Sequence, residues 1–258
     1  MVLTCRAASD VAQSSDRGQG SQNKEGSRKK RIAVFVSGGG SNYKAIQAAI
    51  DAGKVNGEVV AVISDKPGCK ATEFASEKGV HVSAYPKSAK FAPEGLSAED
   101  LVQLLREKKV DIVLLAGFLK LLPAELVKAF PQAILNIHPA LLPAFGGKGF
   151  YGLRVHSAVI KSGAWFSGPT VHFIDENYDA GVIVAQRIVR VLPTDTPEEL
   201  QARVLKEEHY LYPIVVSALC DGRIRWRDDG VPILEDYMHS SPTELPETSS
   251  CRNVQAII

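Results

Sequence analysis

Five short apolar runs alternate with stretches of helical spacing through the first half of the chain, and this alternation limits the fold more than any other feature. "RIAVFV" from Arg31, "EVVAVIS" from Glu58, "GVHVSA" from Gly79, "VDIVLLAG" from Val110 and "AILNIH" from Ala133 have the length and β-branched content of strands. Helical patterns lie between them, beginning near Asn42, Cys69, Ser97 and Pro123. Strands that are apolar almost throughout must be covered on both faces, so the spacing predicts an α/β fold with an open, mostly parallel sheet and helices on both sides. After Ser167 the pattern changes. "PTVHFIDE" and "GVIVAQRIVRVL" read as longer strands joined by a turn, an antiparallel C-terminal addition to the sheet. Thr196, Pro197 and Glu199 then form a capping box that opens a helix before Leu200.

The first strand runs into "FVSGGGSNYKAI", and a strand, glycine turn and helix start in succession point free N–H groups at an anion. The dinucleotide fingerprint fails, because Tyr43 stands where a third glycine is needed, and no G-K-[ST] follows to make a triphosphate loop. Two readings remain: a cradle for one phosphate made by Gly39, Gly40, Ser41 and Asn42, or a tight βα turn and nothing more.

Other polar groups stand out against apolar surroundings. Period-two alternation puts Asn136 and His138 on one side of their strand and Leu135 and Ile137 on the other, with Pro139 ending the strand. That is a strand's C-terminal end, where open parallel sheets bind ligands, although a core histidine fits the same pattern. Asp175, Glu176 and Asp179 crowd one connection. Asp179 is favoured as a partner for His138 because Ala180 and Gly181 allow close backbone passage, and a solvated acidic turn is the alternative. Glu208 shares a helix face with Val204, Leu211 and Val215, so it requires a hydroxyl, amide or cationic partner, and Arg203 is one candidate. The glycine-rich "AFGGKGFYGLRVH" is either a closing loop or a long surface loop. His81, His156 and His172 have no metal-ligand spacing and read as structural, so no metal is expected.

The 258 residues allow one sizeable core, and a formal charge of +1 with 7% aromatic content argues against nucleic-acid binding. No apolar run reaches membrane-spanning length, so no membrane partner is expected. The four cysteines make no C-x-x-C pair, which suits a reducing compartment. Residues 1–29 are expected to be a disordered extension or targeting remnant, 30–235 one domain, and 236–258 a C-terminal tail.

The segments "VFVSGGGSN" (34–42), "VLLAGFLKLLP" (113–123), "ILNIHPALLPAFGG" (134–147), "GPTVHFIDENYDAGVIVAQ" (168–186) and "ARVLKEEHYLYP" (202–213) together resemble the phosphoribosylglycinamide formyltransferase family. The resemblance implies a Rossmann-like formyltransferase fold and transfer of the formyl group of 10-formyltetrahydrofolate, a co-substrate, to glycinamide ribonucleotide in purine synthesis. It implies Asn136, His138 and Asp179 as the catalytic trio, with His138 kept cationic by Asp179. Gly40, Ser41 and Asn42 would contact phosphate, and Glu208 the ribose hydroxyls. Leu115, Phe118, Leu119, Lys120 and Leu122, with Asn136, would line the folate site, and Thr170 and His172 would support the centre. The alternative is a 10-formyltetrahydrofolate deformylase, which passes formyl to water. The expected state is a monomer or homodimer, in the plastid stroma if the N-terminus is a targeting remnant and otherwise in the cytoplasm.

Overall fold

The computed structural model describes residues 28–90, 92–175 and 179–234. The sequence expectations for residues 1–27, Glu176 and 235–258 lie outside these. The first half alternates strand and helix: β1 (Lys30–Val36), α1 (Ser41–Asp51), β2 (Gly57–Ser64), α2 (Lys70–Glu77), β3 (His81–Ala84), α3 (Ala98–Glu107), β4 (Ile112–Leu115), α4 (Ala124–Ala129) and β5 (Ile134–His138). After these come α5 (Leu153–Ser162), β6 (Phe166–Ser167), β7 (Thr170–Phe173), β8 (Ile183–Gln186), β9 (Val189–Arg190), α6 (Pro197–Cys220), β10 (Ile224–Trp226) and β11 (Pro232–Leu234).

Seven strands form one sheet in the order β3-β2-β1-β4-β5-β7-β8. The first five are parallel, while β7 runs antiparallel to β5 and β8 antiparallel to β7. The period-two alternation within the apolar strands divides them between two cores. Ile32, Val34 and Val36 face the layer that holds Tyr43 of α1 and Leu211 and Val215 of α6. Ala33 and Phe35 face Leu101 and Leu105 of α3 and Leu126 of α4. Both faces of β1 are thus buried, as a continuous apolar run requires.

The chain leaves β1 toward β2 on one side of the sheet and reaches β4 on the other, so the strand order reverses between β1 and β4, the point beyond whose carboxyl ends open sheets of this type bind ligands. Ser37, just after β1, ties it to the segment after β4, donating its N–H to Gly117 O at 3.1 Å and accepting the Leu119 N–H on Oγ at 2.9 Å.

The long strand expected over "GVIVAQRIVRVL" is two strands. β8 joins the main sheet, whereas β9 pairs with β6 in a separate ribbon. The chain bends where Arg187 passes Gly168, so closely that a Cβ there would lie 1.9 Å from the Arg187 carbonyl oxygen. The capping box at Thr196 is present, with Thr196 Oγ1 accepting from Glu199 N.

Candidate active site

β5 carries Leu135 and Ile137 into the α1/α6 core and turns Asn136 and His138 to the opposite side. Asp179 reaches them from the β7–β8 connection with φ of 50°. The connection lies against β7 so tightly that a Cβ on Gly181 would stand 1.8 Å from Phe173 O, so only glycine fits. His138 Nδ1 is 3.5 Å from Asp179 Oδ2, and Asn136 Nδ2 is 3.5 Å from Asp179 Oδ1. His172, the cross-strand partner of Asn136, places Nε2 3.1 Å from Asn136 Nδ2 and 3.6 Å from Asp179 Oδ1.

The glycine-rich segment after β5 closes over this cluster through backbone groups. Gly147 N–H donates to Asp179 Oδ2 at 2.9 Å, and His138 Nε2 lies 2.8 Å from Phe145 O. A carbonyl only accepts, so His138 carries its proton on Nε2. Thr170 supports the chain beyond His138: its hydroxyl donates to Ala140 O at 2.7 Å and accepts from Leu142 N at 3.0 Å and Gln186 Nε2 at 2.9 Å. Gln186 was not singled out by sequence, because an amide in an alternating strand gives no signal of its own.

Electrostatics correct one expectation. Burial lowers the His138 pKa below its ordinary value and outweighs the opposing effects of Asp179 and the Phe145 carbonyl. The resting ring is therefore not held cationic by Asp179. Burial pushes Asp179 upward, but the His172 ring, His138 and the Gly147 N–H together hold it below the usual carboxylate range. His156, on α5, is buried with Nδ1 unpartnered, and burial with the nearby His138 lowers its pKa to about 4.

The glycine turn begins α1. Gly40 is the N-cap residue at φ 70°, and a Cβ there would meet Ala71 Cβ at 2.6 Å. Gly38 and Gly39 face open space, and the first turn of α1 holds no acidic residue. The first N–H groups of a helix have no intrahelical partner, so the turn offers them outward. Asn42 does not direct its side chain there. Its Nδ2 donates to Glu208 Oε2 at 2.6 Å. Glu208 is 8% exposed, and burial raises its pKa against the hydrogen bond from Asn42. The expected partner for Glu208 is thus an amide; Arg203 turns instead to Asp195 and Arg190 O.

The five apolar-segment residues separate into two groups. Leu115, Phe118 and Leu122 are buried in the α3/α4 core, with Phe118 edge-on to Phe35 at 5.3 Å. Leu119 and Lys120 are exposed just beyond the carboxyl end of β4. Tyr212, which reads as part of an apolar helix face, is buried and donates to both Leu115 O and Leu135 O, at 3.1 and 3.0 Å. Among the described residues no group of three or more His, Cys, Asp or Glu is placed to hold a metal ion, and no helix is long and apolar enough to cross a membrane.

A family model described as formyl transferase matches residues 30–216. The chain belongs to the formyl transferase family. Among curated relatives of this formyl transferase, the chloroplastic phosphoribosylglycinamide formyltransferase of Arabidopsis thaliana is 54% identical over 236 residues, covering 92% of this chain and 80% of that protein. The protein of the same name from Vigna unguiculata is 58% identical over 218 residues, 84% of this chain and 69% of that one. Among solved structures, glycinamide ribonucleotide transformylase 1 from Symbiobacterium toebii superposes with a TM-score of 0.71 at 37% identity, over 80% of this chain and 95% of its own. These relatives bear out the resemblance drawn from the five motifs, and the Rossmann-like sheet agrees with it.

Proposed function

We propose that this formyl transferase moves the formyl group of 10-formyltetrahydrofolate to the primary amine of glycinamide ribonucleotide, giving the N-formyl product and tetrahydrofolate in purine synthesis. One observation carries the reading beyond the relatives' names: Asn136, His138 and Asp179 converge at the carboxyl end of β5, on the same sheet edge as the glycine turn after β1. Reaction groups and an anion cradle at one edge suit a phosphorylated amine brought to a formyl donor.

The amine nitrogen attacks the formyl carbon, and the carbonyl electrons move to oxygen. An Asn136 N–H and the His138 Nε2–H act as donors to that oxygen, where charge appears only in the transition state. The neutral ring already holds the Nε2 proton, now given to Phe145 O, so no cationic resting state is needed. Asp179 accepts the proton lost by the amine, directly or through water. Collapse re-forms the carbonyl and breaks the bond to N10, which takes up the proton relayed from Asp179.

Gly39, Gly40, Ser41 and the Asn42 N–H hold the phosphate, and Glu208 accepts from the ribose hydroxyls; both fix the amine far from the reacting carbon. Leu119 and Lys120 face the folate, while Leu115, Phe118 and Leu122 shape the wall behind them. The plant relatives named chloroplastic support a plastid location. Single-turnover assays of Asn136→Ala test the assignment: the chemical step should slow by about 10²- to 10³-fold while a folate analogue still binds. A wild-type rate would remove Asn136 from the centre.

A further inference from the structure

We propose that His172 is a positioning residue that fixes the sense of the Asn136 side-chain amide, so that one Asn136 N–H is always left to face the reacting oxygen. The inference rests on the formyl-transfer reading and adds to it the element that orients its main donor.

Hydrogen-bond accounting carries it. His172 is fully buried, and its Nδ1 lies 2.9 Å from Phe173 O. A backbone carbonyl only accepts, so Nδ1 bears the proton, and in the neutral ring Nε2 is then a lone pair. Asn136 lies directly across the β5–β7 ladder, with Nδ2 3.1 Å from that Nε2. Only an N–H can meet a lone pair at this distance, so Asn136 must turn its NH₂ group, not its carbonyl, toward His172. The competing arrangement, in which Nε2 donates to Asp179 Oδ1, spans 3.6 Å against 3.1 Å to Asn136, so Asn136 is the nearer partner of Nε2.

The NH₂ group has two protons. One is committed to His172, and the other looks toward Asp179 Oδ1 at 3.5 Å, a contact at the limit of hydrogen bonding. That second proton is loosely held in the resting state and is the one free to turn to a developing oxyanion. Were the amide reversed, its carbonyl would face the Nε2 lone pair, and relief would require either moving the ring proton to Nε2, which gives up the contact with Phe173 O, or charging a fully buried ring. The relay from Phe173 O through His172 to Asn136 therefore excludes the reversed amide.

Long-range ¹H–¹⁵N correlation spectra of the full-length wild-type protein read the tautomer without any substrate. The expected result is a neutral His172 ring protonated on Nδ1; protonation on Nε2, alone or with Nδ1, overturns the proposal. Kinetics supply the second measurement. His172→Phe should lower kcat by roughly 10²-fold, the scale of a lost oxyanion donor, with both KM values within about threefold. In an Asn136→Ala background the same change should have no further effect on kcat, because the residue it orients is gone. A wild-type kcat in folded His172→Phe, or a full additional loss in the double variant, overturns the proposal. Failure of formyl transfer by wild type together with the expected tautomer would contradict the functional reading and leave the relay in place.

Discussion

Asn42 on α1 donates its side-chain amide to Glu208 on α6 at 2.6 Å, joining the end of the glycine turn to a carboxylate 166 positions later. The folded pKa of Glu208 is raised by burial above its ordinary value of 4.5. Below 4.5 the carboxyl is protonated in both folded and unfolded chains. As pH rises toward the folded pKa the unfolded chain ionises first, and the folded state loses stability. Glu208→Gln should therefore raise Tm at pH 7 relative to wild type, by about 2–4 °C for each kcal/mol recovered, with the gain shrinking toward pH 4. The same variant should raise the nucleotide KM roughly tenfold at nearly constant kcat, since a neutral acceptor replaces a charged one. Thermal melts across pH and initial rates check both; an unchanged nucleotide KM would remove Glu208 from ribose recognition.

Asp179 raises the His138 pKa against the larger effect of burial. Asp179→Asn leaves burial opposed only by the Phe145 carbonyl, so the His138 titration should move to lower pH in an NMR experiment. Loss of the proton acceptor should lower kcat by about 10²- to 10⁴-fold. An unmoved His138 titration with wild-type kcat would make Asp179 an ordinary turn residue.

His156 is neutral in the fold down to about pH 4, whereas an unperturbed imidazole titrates at 6.5. Between these values the unfolded chain takes up a proton that the folded chain refuses, so stability is full above pH 6.5 and declines as pH falls toward 4. The loss is on the order of 3 kcal/mol for a shift of this size. His156→Leu should flatten the fall in Tm over that window, and a wild-type pH dependence would contradict the assignment.

Two neighbouring glycines should respond differently to substitution. Gly40 has positive φ and a Cβ there meets Ala71, so Gly40→Val should destabilise the fold and cannot report on phosphate alone. Gly39 faces open space, so Gly39→Val should melt like wild type while raising the nucleotide KM tenfold or more. Equal KM values for wild type and Gly39→Val would argue against the cradle.

Much of this arrangement is legible locally. Continuous apolar runs require a sheet covered on both faces, and the pairing of Asn136 with His138 follows from period two. Glu208 on an apolar helix face demands a polar partner, and an amide supplies it. What escapes a reading of the chain is long-range or made by backbone. Gly147 reaches Asp179 through an N–H that every residue but proline carries, so no side chain signals the contact. Tyr212 joins the carbonyls of Leu115 and Leu135 from a position indistinguishable from core. Burial also decides the His138 pKa, and a count of nearby carboxylates contains no information on burial.

Passage of the formyl group to the nucleotide amine can be followed with a labelled formyl carbon. Wild-type protein is incubated with 10-[¹³C-formyl]tetrahydrofolate, with and without glycinamide ribonucleotide, and the products are resolved by mass spectrometry. Label is expected in the N-formyl ribonucleotide, dependent on the nucleotide, with little formate in its absence. Label released as formate at the same rate with or without the nucleotide would contradict transfer to the amine and assign the protein to hydrolysis.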